Sequence, residues 1–155
     1  MTQDQSSTIL WIDKSLSGHL LKEYEYCLED AGFIIHKVAN PDKVWSMLGK
    51  YTGQYACIIL ELWFPPPLCE TSLLQDIDAV IAKVDLVPGL ALAKQIRQHC
   101  RYKKIPIVIF TSQALHTIPS EDKSTFPCFI KAEISTSGFP EQIARIISAS
   151  PASVL

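Results

Sequence analysis

The sequence predicts an α/β fold, a doubly wound five-stranded parallel sheet of strand order 2-1-3-4-5. Three observations predict it. Five short, mostly apolar runs, TILWI (8–12), FIIHKVA (33–39), YACIIL (55–60), IPIVIF (105–110) and CFI (128–130), read as strands, and TILWI is continuously apolar, the pattern of a strand buried on both faces. Stretches with helical spacing separate most of them, so the strands run parallel through right-handed crossovers and few topologies remain. At 155 residues and 48% apolar, the chain can close one core.

Taken in order, each element has a local reason. After the first strand, HLLKEYEYCLEDAG (19–32) spaces Leu20, Tyr24, Cys27, Leu28 and Ala31 at helical intervals and meets Gly32 as its stop. PDKVWSMLGKY (41–51) follows the second strand, with Asn40 as cap and Pro41 at the first helical position. LALAKQIRQHC (90–100) is amphipathic, with Leu92, Ala93, Ile96 and Cys100 on its apolar side. FPEQIARIIS (139–148) starts on Pro140 and aligns Ile143, Ile146 and Ile147.

Two places break the regularity. Between the third strand and the next helix, about residues 65–88 exceed the few residues expected of such a connection. Ser72 with Gln75 has capping-box spacing, and Leu73, Ile77, Val80, Ile81 and Val84 form one stripe, so 72–84 reads as an inserted helix. In 112–127, Pro119 and the density of Ser, Asp and Thr allow one or two helical turns where the fourth crossover should lie. Residues 1–7 and 149–155 read as disordered tails around a single domain, 8–148.

Composition excludes several classes. The formal charge is −2 with no basic stripe, which argues against a nucleic-acid partner. No apolar run approaches the ~20 residues that cross a bilayer, and the polar first eight residues are no secretory signal. The expectation is a cytoplasmic protein without membrane contact. Five scattered cysteines (Cys27, Cys57, Cys69, Cys100, Cys128) fit neither a disulfide framework nor a zinc site and read mostly as small buried hydrophobes. The four histidines are equally dispersed.

The strand ends carry the chemistry. Asp13, Glu61, Thr111 and Lys131 are each the first polar side chain after an apolar run, and in this topology all four tips face one crevice. Two acids, a hydroxyl and an ammonium there must satisfy one another to be desolvated.

In order, ILWIDKS, IILELWFPP, PGLALAKQIR, IPIVIFTS and FIKA resemble the landmarks of two-component response-regulator receiver domains, of flavodoxin-like (CheY-like) fold, over roughly residues 8–148. The resemblance implies two adjacent Mg²⁺-binding acids after strand 1 and a phosphoacceptor Asp after strand 3, served by a sensor histidine kinase. It also implies a Thr or Ser after strand 4 and a Lys-Pro after strand 5 that bind phosphoryl oxygens. Thr111 and Lys131 match, and Asp13 matches the first acid. Lys14 stands where the second acid should be, Glu61 where the phosphoacceptor should be, and Ala132 replaces the Pro, which disfavours the cis peptide of that site. Cys128 occupies the place of an aromatic switch, and Phe129, one step along, points to the other face.

These departures set the functional expectation. Lys14 removes an oxygen ligand that Mg²⁺ requires and adds a like charge that costs about 4 kcal/mol at an effective dielectric of ~20. Asp13 and Glu61 alone would hold the ion weakly or not at all, so no cofactor is expected. Glu61 is one methylene longer than Asp and misses the in-line geometry of phosphoryl transfer. It is expected to pair instead with Lys14 or Lys131. The chain therefore reads as a degenerate receiver, not an enzyme, that acts in signal transduction by binding a protein, a sensor kinase or an output protein. Trp63, Phe64 and Leu68 beside the prolines, together with Phe129, are the candidate partner surface. Pairing of two copies through the fourth helix, fifth strand and fifth helix stays open. The alternatives are a competent Mg²⁺-binding receiver with unusual ligands, or a small flavodoxin-like enzyme using Glu61 and Asp13 with Cys69 or Thr111 nearby. Against the enzyme stand the missing nucleophile–base pair and the lack of a Gly-rich phosphate loop among six glycines.

Overall fold

The computed structural model describes residues 7–15, 18–51, 54–62, 88–112, 118–131 and 133–149. Residues 1–6 and 150–155 of the two tails, the segment 72–84 read as an inserted helix, and Trp63, Phe64, Leu68, Cys69 and Ala132 lie outside the described residues.

The strands are β1 (Thr8–Ile12), β2 (Ile34–Val38), β3 (Cys57–Leu60), β4 (Ile107–Thr111) and β5 (Cys128–Ile130). The described helices are α1 (His19–Asp30), α2 (Val44–Lys50), α3 (Pro88–Gln98), α4 (Ser120–Thr125) and α5 (Phe139–Ala149). The sheet is parallel throughout, in the order β2-β1-β3-β4-β5.

Successive strand residues point to opposite faces, which explains why the runs show no alternation. Leu10, Ile12, Ile58, Leu60, Ile107 and Ile109 pack with Val44 and Leu48 of α2 and with Leu92, Ala93 and Ile96 of α3. Ile9, Trp11, Cys57, Ile59, Val108 and Phe110 pack on the other face with Leu21, Tyr24 and Leu28 of α1 and with Phe139 and Ile143 of α5. Each fully buried Ile or Leu contributes about 1.5–3 kcal/mol.

Helix ends follow the sequence signals. Gly32, at φ 101°, ends α1: its N–H donates to Glu29 O and Phe33 N–H donates to Leu28 O, satisfying orphan carbonyls. Asn40 Oδ1 accepts from Asp42 N–H at 2.9 Å, and a 3₁₀ turn through Pro41–Lys43 leads into α2. In the described part of the fourth crossover, α4 follows Pro119 and has six residues.

Two stripes differ from the sequence expectation. Leu20 is 56% exposed and Leu21 takes its place in the core, because the α1 axis is rotated so that Leu21, Tyr24 and Leu28 face the sheet. Cys100 is exposed and Cys27 and Cys128 are half-buried, so among the described cysteines only Cys57 is a buried hydrophobe. Cys100 lies beyond the last turn of α3, where helical spacing no longer applies. Helix α5 also reaches Ala149, into the segment read as a tail.

Candidate functional site

Sheet register assembles the site. β1 and β3 pair with Ile12 opposite Leu60, so the next residues, Asp13 and Glu61, leave the sheet side by side. Glu61 N–H donates to Ile12 O at 3.0 Å, and Asp13 N–H to Val38 O at 3.0 Å. On the far side, β4 and β5 pair with Thr111 opposite Ile130, and Lys131 N–H donates to Thr111 O at 2.9 Å. The Lys131 stem crosses the end of β4, which leaves Nζ 5.9 Å from the Phe110 ring centre.

The four strand-end residues are all buried: Asp13 and Thr111 at 0%, Glu61 at 4% and Lys131 at 7% exposure. Lys131 Nζ donates to Asp13 Oδ2 and to Glu61 Oε2, each at 2.7 Å. The remaining carboxylate oxygens are taken by backbone amides. Ser15 N–H donates to Asp13 Oδ1 at 2.8 Å, and Leu62 N–H to Glu61 Oε1 at 2.6 Å. The extra methylene of Glu61 makes this possible: the side chain curls back to its neighbour's N–H while its other oxygen meets Lys131. Two carboxylates against one ammonium leave one net negative charge. Burial pulls the Lys131 pKa down, but hydrogen bonds and the charges of Asp13 and Glu61 outweigh it, and the net shift is upward.

The counterion left open between Lys14 and Lys131 is thus Lys131, while Lys14 is exposed in the turn after β1. Phe129 is half-buried and packs edge-on against Phe139 at 6.2 Å, so much of its ring belongs to the core.

Two further residues hold the site and escaped the sequence reading. The Tyr24 hydroxyl, reaching from α1, is shared between the carbonyls of Lys131 and Ile134, the latter at 2.6 Å. The Lys131 peptide is therefore pinned by its N–H to β4 and by its C=O to α1. The signal was a Tyr on an apolar stripe, whose polar tip needs a partner once buried. Gly89 N–H donates to Leu62 O at 2.7 Å, and a Cβ there would lie 2.1 Å from Glu61 O. Only glycine lets α3 begin so close to the Glu61 backbone. The Pro88-Gly89 pair marked that place but gave no hint of the contact.

The oxygens of both acids are thus already engaged. An ammonium already bridges both acids, their other oxygens hold N–H groups, and an exposed lysine follows Asp13. Among the described residues, no group of three or more His, Cys, Asp or Glu could hold a metal ion.

No protein-family model matches the chain, and no curated protein matches it in sequence. Solved structures do. The chain is similar to chemotaxis protein CheY4 of Vibrio cholerae (17% identity, TM-score 0.63, covering 92% of this chain and 99% of that one). It is similar to a response regulator from Desulfuromonas acetoxidans (15% identity, TM-score 0.64, covering 91% and 96%). It is also similar to a sensor protein from Polaromonas sp. JS666 (16% identity, TM-score 0.65, covering 91% and 95%). At these identities the likeness establishes architecture: the chain has the CheY-like, flavodoxin-like fold of response-regulator receiver domains.

Proposed function

We propose that this domain is a receiver-type module of two-component or phosphorelay signalling that is not phosphorylated and works by binding a protein partner. The observation that carries this is the Lys131 ammonium, 2.7 Å from both Asp13 and Glu61. The acid in the acceptor place is committed to an ion pair and to a backbone N–H. A carboxylate paired to this lysine imitates a phosphorylated Asp only in part, since a phosphoryl group carries more charge and more oxygens. The module is thereby held in one electrostatic state, and its surfaces carry the signal. The partner is a sensor kinase or an output protein, in a cytoplasmic setting. Among the described residues, no helix is long and apolar enough to cross a membrane.

Incubation with acetyl phosphate and Mg²⁺, followed by intact mass measurement, tests the reading. No adduct is expected. A phosphoryl adduct that disappears in Glu61→Ala would overturn it in favour of a competent receiver.

A further inference from the structure

Away from the ion triad, α2 and the end of α3 share a strip of rings. Trp45 lies 5.7 Å from His99 and 6.3 Å from Tyr102, and His99 stacks on Tyr102 at 4.6 Å. Trp45 is 38% exposed, whereas Trp11 is fully buried. The Arg101 guanidinium sits 5.7 Å from the centre of the Tyr102 ring. The turn that carries these groups is braced by its own side chains: Arg97 Nη1 donates to Lys103 O at 3.0 Å, and Arg101 N–H to His99 Nδ1 at 3.2 Å.

The charge of the chain through α3 and the turn after it is one-sided, while the acid nearest Trp45 in sequence is Asp42. Residues 86–120 contain no Asp or Glu, yet they hold Lys94, Arg97, Arg101, Lys103 and Lys104, in a chain of net charge −2. Lys94 is paired with Asp122, while Arg101, Lys103 and Lys104 are exposed in one turn. A strip that only shielded the α2–α3 contact would have no need of clustered cations, which repel one another. Trp, Tyr and Arg together are the residue types that concentrate binding energy at protein interfaces.

We infer that Trp45, His99 and Tyr102, with Arg101 and Lys103, form a docking surface for an acidic segment of a protein partner. Carboxylates of that segment meet the cationic turn, and a planar or apolar side chain covers Trp45. The inference rests on the docking-module reading above and names the chemistry of the partner. Single-stranded nucleic acid also favours rings beside cations, but it needs a charged groove that follows its backbone. Here the exposed cations cluster in the single turn after α3, in a chain of net charge −2.

Titration of the full chain by two-dimensional NMR tests this. The probes are a short Asp/Glu peptide with one central Phe, the same peptide with Lys for each acid, and a short single-stranded oligodeoxynucleotide. The acidic peptide should shift the Trp45 indole signal and the amides of residues 99–104, and should bind severalfold more weakly as salt rises to physiological strength. Trp45→Ala should weaken it about tenfold. Arg101→Glu, at an exposed position that leaves the fold intact, should weaken it by a similar factor. No shifts at millimolar peptide in low salt, or equal binding of the lysine peptide, would overturn the inference. Tighter binding of the oligonucleotide would assign the strip to nucleic acid and overturn it as well. None of these outcomes bears on phosphorylation, which the phosphodonor assay decides separately.

Discussion

Replacing Lys131 by Met keeps most of the side-chain volume and removes the one cation that Asp13 and Glu61 share. Both acids are buried, and among the described residues each would keep a single backbone N–H, from Ser15 and Leu62. Removing one partner of a buried ion pair costs about 3–5 kcal/mol, because it strands an uncompensated charge. For a domain of this length, that lowers the melting midpoint by roughly 10 °C. Urea unfolding followed by circular dichroism measures the loss. Adding Glu61→Gln should restore part of it, since one stranded charge is then gone. In the parent protein the sign runs the other way at high pH. The folded-state pKa of Lys131 lies above its ordinary 10.5, so its contribution is fully present below that value and is lost as the pH rises through the folded one. A loss under about 1 kcal/mol in Lys131→Met would refute the buried triad, because so small an effect is that of a solvated surface pair.

Three other perturbations follow from the geometry. Gly89→Ala should cost about 1–3 kcal/mol by overpacking, with altered Glu61 and Leu62 amide signals, since the new methyl would meet the Glu61 carbonyl at 2.1 Å. Tyr24→Phe should cost about 1–3 kcal/mol for two carbonyls left without their donor, with amide exchange over 133–139 accelerated relative to the same segment in the parent protein. Glu61→Asp combined with Lys14→Asp should raise Mg²⁺ affinity by at least about fivefold, read by isothermal titration. The lower bound reflects the exposure of Lys14, where a unit charge at 4 Å is worth about 1 kcal/mol in water rather than about 4.

Much of this was legible in the residues. Strand order came through because its signal is strong: five mostly apolar runs, each closed by a polar residue. TILWI could be a fully buried strand or a piece of buried helix by periodicity alone, and its short length decided for a strand. Helix rotation was less legible. Leu20 and Leu21 are adjacent, and either completes a stripe with Tyr24 and Leu28, so the sheet beneath chooses between them. The choice of Lys131 over Lys14 as counterion was invisible for a different reason. Both lie next to a strand end, and only the register decides that the β5 lysine crosses β4 to reach β1 and β3 while the β1 lysine turns outward. Gly89 and Tyr24 show the remaining gap: contacts between a helix and a strand end far away in sequence leave no local mark.

The triad also bears on what the fold can transmit. A buried ion pair seldom adds net stability over apolar residues of the same volume, because desolvation offsets the attraction. Asp13, Glu61 and Lys131 are therefore poorly explained as ballast for the core. What they do fix is geometry: β1, β3 and β5 are tied at one end through a single ammonium, and Tyr24 ties that same lysine to α1. A switch needs two arrangements separated by a few kcal/mol. Here, opening the site would strand two carboxylates at once, a cost of about 3–5 kcal/mol or more. That cost falls on any motion that separates the ends of β1 and β3 from β5.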